Sequence, residues 1–186
     1  MDTTQTLNGV DLGRLTTTIE AVVADPSLGR FQFRSATHWI DGGHSRTTIK
    51  SFYGAGHEDD TRGDAFVLDA DEPPVLLGNN QAPNAGEYLL QALAACLTGT
   101  IVYHAAARGI ALDGVECTLE GDLDVQGFLG LDSRVRPGFD QIRATITASG
   151  DFPDSRLAEL TELAAYSPVR DSIINPVPVT IDVVRA

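Results

Sequence analysis

The chain reads as an α+β protein, and three observations carry that reading. Its longest proline-free apolar pattern, Pro83 to Gly109, has the spacing of a helix. Segments of strict apolar/polar alternation lie both before and after it. The strands are grouped before and after that helix rather than alternating regularly with helices, which indicates α+β.

In chain order, Val10, Leu12, Leu15, Ile19, Val22 and Val23 recur at helical spacing until Asp25-Pro26 ends the run, which predicts a peripheral amphipathic helix. Phe31 and Phe33 alternate with polar residues, Asp41-Gly42-Gly43 supplies a turn, and Thr47, Ile49 and Ser51 to Tyr53 continue as a second strand of a hairpin. Gly54 to Asp64 reads as a loop, Ala65 to Leu68 as a short strand, and Asp71 to Asn80 as a Pro- and Gly-bearing approach to the long helix.

That helix opens on a capping-box pattern, Asn84 followed three residues later by Glu87. Its apolar residues are not confined to one stripe, which predicts a central helix packed on most sides. Gly99 marks a bend or the join between two segments, and Gly109 is the expected C-cap, with Arg108 near the negative end of the helix dipole. Beyond it, Val115, Cys117, Leu119 and Leu123 alternate with acidic and polar residues as a half-buried strand, after which Gly127 to Gly138 is a loop. Ile142 to Ala148 form a further strand. Leu157, Leu160, Leu163 and Ala164 define another amphipathic helix, stopped before Pro168, and Pro176 to Val184 closes the chain as a strand.

With 186 residues the chain is expected to form a single domain over 29–186 with an N-terminal helical appendage over 1–28. A formal net charge of -13 with few basic clusters argues against nucleic acid and anionic membranes as partners. The two cysteines, Cys96 and Cys117, show neither a disulfide framework nor a zinc spacing, and no phosphate-binding glycine loop occurs. A reducing cytoplasm is the expected location, without a cofactor or a metal. The N-terminus lacks the basic start and apolar centre of a signal peptide. His57, in the polar run His57-Glu-Asp-Asp60, is read as solvated, and His104 as a packed or surface histidine.

Cys96 lies three turns into the long helix, beyond reach of the free N-terminal amides, so any reactivity has to come from elsewhere in the chain. The segment Glu87-Tyr-Leu-Leu-x-Ala-Leu-Ala-Ala-Cys96, then Arg136-Pro-Gly-Phe139 with Ile142, then Ser167-Pro-Val169 and Pro176-Val-Pro-Val179, resembles the OsmC/Ohr family of hydroperoxide-related proteins over roughly Gly29 to Val184. The resemblance implies an intertwined homodimer in which buried central helices are enclosed by antiparallel sheets, with a thiol peroxidase site near the subunit boundary. It also implies Cys96 as the nucleophile, Glu87 and Arg46 as assisting groups, with Arg34 a second candidate cation, and Ser167 at the position of the family's resolving cysteine. Serine cannot form that disulfide, so the implied chemistry is reduction of organic or hydrogen peroxides with an external thiol as reductant. Cys117 is expected to be structural. The alternative is a dimeric, non-catalytic binding protein that uses the same apolar cleft for a small hydrophobic ligand.

Overall fold

The computed structural model describes residues 5–185. They form a mixed structure of helices and antiparallel sheets, in agreement with the α+β expectation, and divide into two compact units. One comprises residue 5 and residues 11–89, and the other residues 6–10 and 90–185.

The chain begins with a two-strand ribbon, β1 (Thr6–Leu7) and β2 (Val10–Asp11), turned by Asn8 and Gly9 at φ 53° and 76°. Asn8 belongs to the second unit and is tied there by its amide, which donates to the Ile110 carbonyl at 2.9 Å and accepts from the Leu112 amide at 2.8 Å.

In the first unit, α1 (Leu12–Ala24) is capped by the Asp11 carboxylate and ends at Asp25, where Pro26 starts a 3₁₀ turn (Pro26–Gly29). The predicted hairpin is present as β3 (Ala36–Asp41) and β4 (His44–Ile49), and β7 (Phe66–Ala70) adds to β4 to complete an antiparallel sheet of order β3-β4-β7. Phe31 and Phe33 do not extend it: only Gln32 bridges to Tyr53, while the Phe31, Phe33 and Phe52 rings lie 5.7–6.3 Å apart. The expected loop from Gly54 instead carries a small hairpin, β5 (Phe52–Gly54) and β6 (His57–Asp59). Its turn is Ala55-Gly56 with both φ angles positive, a conformation that alanine does not advertise in sequence. The approach to the long helix is organised by Asp71, whose buried carboxylate accepts from the amides of Glu72, Asn79 and Gln81.

Helix α2 (Ala85–Ala107) begins in the first unit and continues through the second. Its capping box is formed as read: the Glu87 amide donates to the Asn84 side chain at 2.9 Å and the Asn84 amide donates to the Glu87 carboxylate at 2.8 Å. The other end is a Schellman motif, with the Gly109 amide on the Ala106 carbonyl and the Ile110 amide on the Ala105 carbonyl, at a Gly109 φ of 69°. Gly99 does not split the helix; an interior glycine weakens a helix by only about 1 kcal/mol relative to alanine, which neighbouring turns tolerate. Burial along the helix is graded. Leu93, Leu97, Ile101, Ala105 and Ala106 are buried and most other positions are half-buried, while Leu89 and Tyr103 are exposed and a side chain at Gly99 would meet open space.

The rest of the second unit covers the buried residues. Strands β8 (Gly114–Asp122) and β9 (Gln141–Ser149) pair antiparallel along their whole length, with Cys117 opposite Ile146. Between them lies one helical turn, α3 (Val125–Phe128), in the stretch read as loop. Helix α4 (Ser155–Leu163) brings Leu160 and Leu163 onto Ile101, Ala105 and Ile110 to make the core. Pro168 does more than stop a helix: it opens α5 (Pro168–Ile174), as proline can at a first helical position. The expected closing strand is unpaired. Val177, Val179, Ile181 and Val183 are exposed, because the described residues of this chain offer them no strand edge.

Candidate functional site

Cys96 is a free, half-buried thiol in the middle of α2. Ser167 is completely buried, and its hydroxyl donates to Cys96 Sγ at 3.1 Å. The contact follows from local chain chemistry. Ser167 is the N-cap of α5, so its Oγ accepts from the Arg170 amide at 3.3 Å, and with that acceptor role filled the hydroxyl proton is free to turn to sulfur. A hydroxyl fixed in this way orients the sulfur and can remain bonded to it as a thiolate.

A second contact seats the loop that carries Ser167. Tyr166 stacks on His104 of α2 with ring centroids 4.5 Å apart and planes 20° from parallel. Arg108 Nη1 lies 3.1 Å from His104 Nδ1, and its Nε lies 3.8 Å from Glu159 of α4. Burial, and secondarily the Arg108 charge, hold the His104 pKa below its ordinary value. An arginine can only donate, so Nδ1 is the acceptor and the ring is neutral. His104 is therefore a packed histidine, as read.

Cys117 is the other free thiol. Burial pushes its pKa up, opposed in part by a hydrogen bond with Thr98, so it stays protonated further into alkaline pH than an ordinary cysteine.

The remaining expected site residues lie in the first unit. Arg46, on β4, holds the Asp69 carboxylate in a two-point fork at 2.7 and 2.9 Å, which raises its pKa and lowers that of Asp69. Arg34 holds Glu58 in the same manner. Glu87 is engaged in the helix cap. Cys96 and Ser167 are thus brought together, while Arg46, Arg34 and Glu87 each have a partner within their own unit.

One feature of the second unit has no separate signal in the sequence. A cavity of about 590 Å³ lies among α2, β9, α4 and α5, lined mainly by aliphatic side chains such as Leu97, Ile101, Ile146 and Leu160. Thr161 and Arg170 are its polar lining residues. The size falls in the usual range for small-molecule sites, about 300–1,000 Å³. Leu93 and Leu97, on either side of Cys96 in the helix, belong to the wall, so the cavity runs along the segment that carries the thiol.

The described residues thus form an α+β fold in which a core-helix thiol lies under a helix-capping hydroxyl. The OsmC-like protein family matches residues 78–182, more than half of the chain, and the chain belongs to that family. No curated protein matches it in sequence. Among solved structures it is similar to an OsmC-like protein from Mycoplasma pneumoniae, at 14% identity and TM-score 0.58, covering 78% of this chain and 89% of that one. It is also similar to the organic hydroperoxide resistance protein OsmC from Legionella pneumophila, at 22% identity and TM-score 0.54, covering 76% and 88%. An OsmC-like protein of unknown function from Vibrio cholerae matches at 13% identity and TM-score 0.54, covering 76% and 92%. At these identities the likeness shows a shared fold.

The His104 stack generates a pH prediction. The folded protein keeps this ring neutral to lower pH than the unfolded chain does, so on acidification the unfolded chain takes up the proton first. The stability is whole above the ordinary pKa of 6.5 and is lost as pH falls through and below it. Thermal unfolding should therefore drop between pH 7.5 and 5.5. His104→Phe, which keeps an aromatic face on Tyr166 and removes the titration, should flatten that dependence.

Proposed function

We propose that the protein is a cysteine-dependent reductase of organic or hydrogen peroxides acting through Cys96. The observation that carries this reading is the 3.1 Å contact between the Ser167 hydroxyl and Cys96 Sγ. Membership of the OsmC-like family supports it, as does the hydroperoxide-resistance name of the Legionella relative.

In the proposed reaction the Cys96 thiolate attacks one peroxide oxygen, an S–O bond forms, and the O–O bond breaks. The sulfur gives up two electrons and becomes sulfenic acid, and the other oxygen leaves as alcohol or water after taking a proton. Ser167 holds the sulfur during attack. Having no thiol, it cannot intercept the sulfenic acid, so an external thiol attacks that sulfur, releases water and forms a mixed disulfide. A second thiol then frees Cys96. Arg46 and Glu87 are proposed as assisting groups, Arg46 by its charge; each would first have to release its present partner, Asp69 or the Asn84 amide. A thiol-dependent cycle suits a reducing compartment, and on that ground we place the protein in the cytoplasm.

We further propose that the active form is a homodimer. Helix α2 is apolar around its circumference but leaves Leu89 and Tyr103 exposed, and the alternating segment from Val177 to Val183 has the pattern of a half-buried strand without a sheet. A second copy of the chain supplies complementary surfaces for both, with the net charge left at the rim. A second functional reading, binding of a small hydrophobic ligand without turnover, is favoured by the cavity between α2 and β9.

One equivalent of cumene hydroperoxide should yield a dimedone-trappable sulfenic acid at Cys96, absent in Cys96→Ser and largely kept in Cys117→Ser. Excess peroxide should carry Cys96 on to sulfinic acid. Reaction no faster than that of free cysteine would overturn the peroxidase reading.

Because the Ser167 and Cys96 side chains already touch, Ser167→Cys should form an intrachain disulfide with Cys96 on peroxide treatment, measured as a mass loss reversed by reductant. The wild type should form none there.

Light scattering at micromolar concentration should report twice the 19.8 kDa chain mass. A monomer would refute the dimer.

A further inference from the structure

We infer that the cavity of the second unit is a binding site for a medium-chain aliphatic monocarboxylate, its tail among the aliphatic side chains of α2, β9 and α4 and its carboxylate on Arg170 and Thr161. The inference deepens the ligand-binding reading above and does not depend on the thiol chemistry.

Three observations select this class of ligand. The walls are aliphatic: Leu97 and Ile101 from α2, Ile142 and Ile146 from β9, and Leu157 and Leu160 from α4. No aromatic ring lines the space, so a flexible hydrocarbon is the natural occupant rather than a stacked planar ring. Secondly, the polar lining is one guanidinium and one hydroxyl. Six of the twelve arginines are paired: Arg34 with Glu58, Arg46 with Asp69, Arg108 and Arg156 with Glu159, Arg134 with Asp132, and Arg143 with Asp122. Among the described residues no carboxylate lies within ion-pair distance of Arg170, which is half-buried at the cavity wall. Burying a cation against an apolar wall is unfavourable unless an anion reaches it.

Thirdly, the charge count limits the headgroup. A single guanidinium matches a monoanion, and its planar fork fits a carboxylate at two points. A phosphate monoester would bring a charge near -2 into a protein of net charge -13, with Arg170 the one cation at the wall. Thr161 already donates its hydroxyl to the Leu157 carbonyl within α4, so it offers the ligand at most a shared contact and Arg170 is the anchor.

The test is titration calorimetry of the full chain with sodium decanoate, with 1-decanol and with sodium acetate, all below micelle-forming concentration. Decanoate should bind saturably, one per chain. Decanol, with the tail but no charge, and acetate, with the charge but no tail, should each bind at least about ten-fold more weakly. Arg170→Gln should weaken decanoate by about ten-fold or more and leave decanol unchanged, while Arg170→Lys should recover part of the loss; a ten-fold change corresponds to about 1.4 kcal/mol, within the span of one charge-assisted hydrogen bond. The comparison of the three ligands on the wild type stands even if a variant fails to fold. Equal binding of decanoate and decanol would overturn the carboxylate inference and leave the hydrophobic-cleft reading standing. Absence of binding by both would overturn the two together, and neither result bears on oxidation of Cys96.

Discussion

A 23-residue helix that is apolar on almost every side can be held in water only if its ends are closed and its faces are covered, and the second unit is built to meet that demand. The ends are closed locally. Asn84 and Glu87 satisfy each other's amides at the start, a device worth about 1 kcal/mol, and Gly109 takes the left-handed conformation that lets Ala105 and Ala106 find donors at the finish. One face is covered by α4 and by the inner residues of the β8–β9 ribbon. The same helix is long and apolar enough to pass for a membrane span by length and composition, yet its buried stripe of Leu93, Leu97, Ile101, Ala105 and Ala106 is packed against these elements as in a protein core. The exposed remainder is the observation from which the second copy of the chain is proposed.

In the proposed reaction, serine at position 167 changes the fate of an oxidised Cys96 rather than its position. The hydroxyl occupies the site, caps α5 and reaches the sulfur, so the geometry of the pair does not need a cysteine. What is missing is the internal electron source, since oxygen cannot accept the sulfur in a disulfide. The proposed selectivity between the two thiols rests on a separate contrast. Burial on β8 pushes the Cys117 pKa up, and the Ser167 hydroxyl donates to the Cys96 sulfur.

Much of this arrangement is legible in the residues because it rests on local rules. The period-2 alternation from Val115 and from Ile142 reads directly as β8 and β9, and the Asn84 to Glu87 spacing reads as a cap, since neighbours in sequence make both features. What is not legible depends on partners. The β5–β6 hairpin turns on Ala55, a residue with no turn signature, and its position is settled by contact with Gln32. The segment from Val177 to Val183 carries a clear strand pattern but pairs with nothing among the described residues, because alternation shows which face wants burial and not which edge will supply it.

Pro168 illustrates how one ambiguous residue can conceal a site. Proline ends a helix that precedes it and favours a helix that follows, and the pattern Leu157 to Ala164 draws attention to the first role. In the structure it has the second role as well, with consequences on both sides. Ser167 becomes an N-cap, which points its Oγ at the Arg170 amide and its proton at Cys96. Arg170, one turn into α5, comes to the wall of an aliphatic cavity with no carboxylate at ion-pair distance among the described residues, a location that nothing in the run Ser167-Pro-Val-Arg170 discloses. The thiol contact and the unpaired cation therefore share one cause, the short helix that this proline begins.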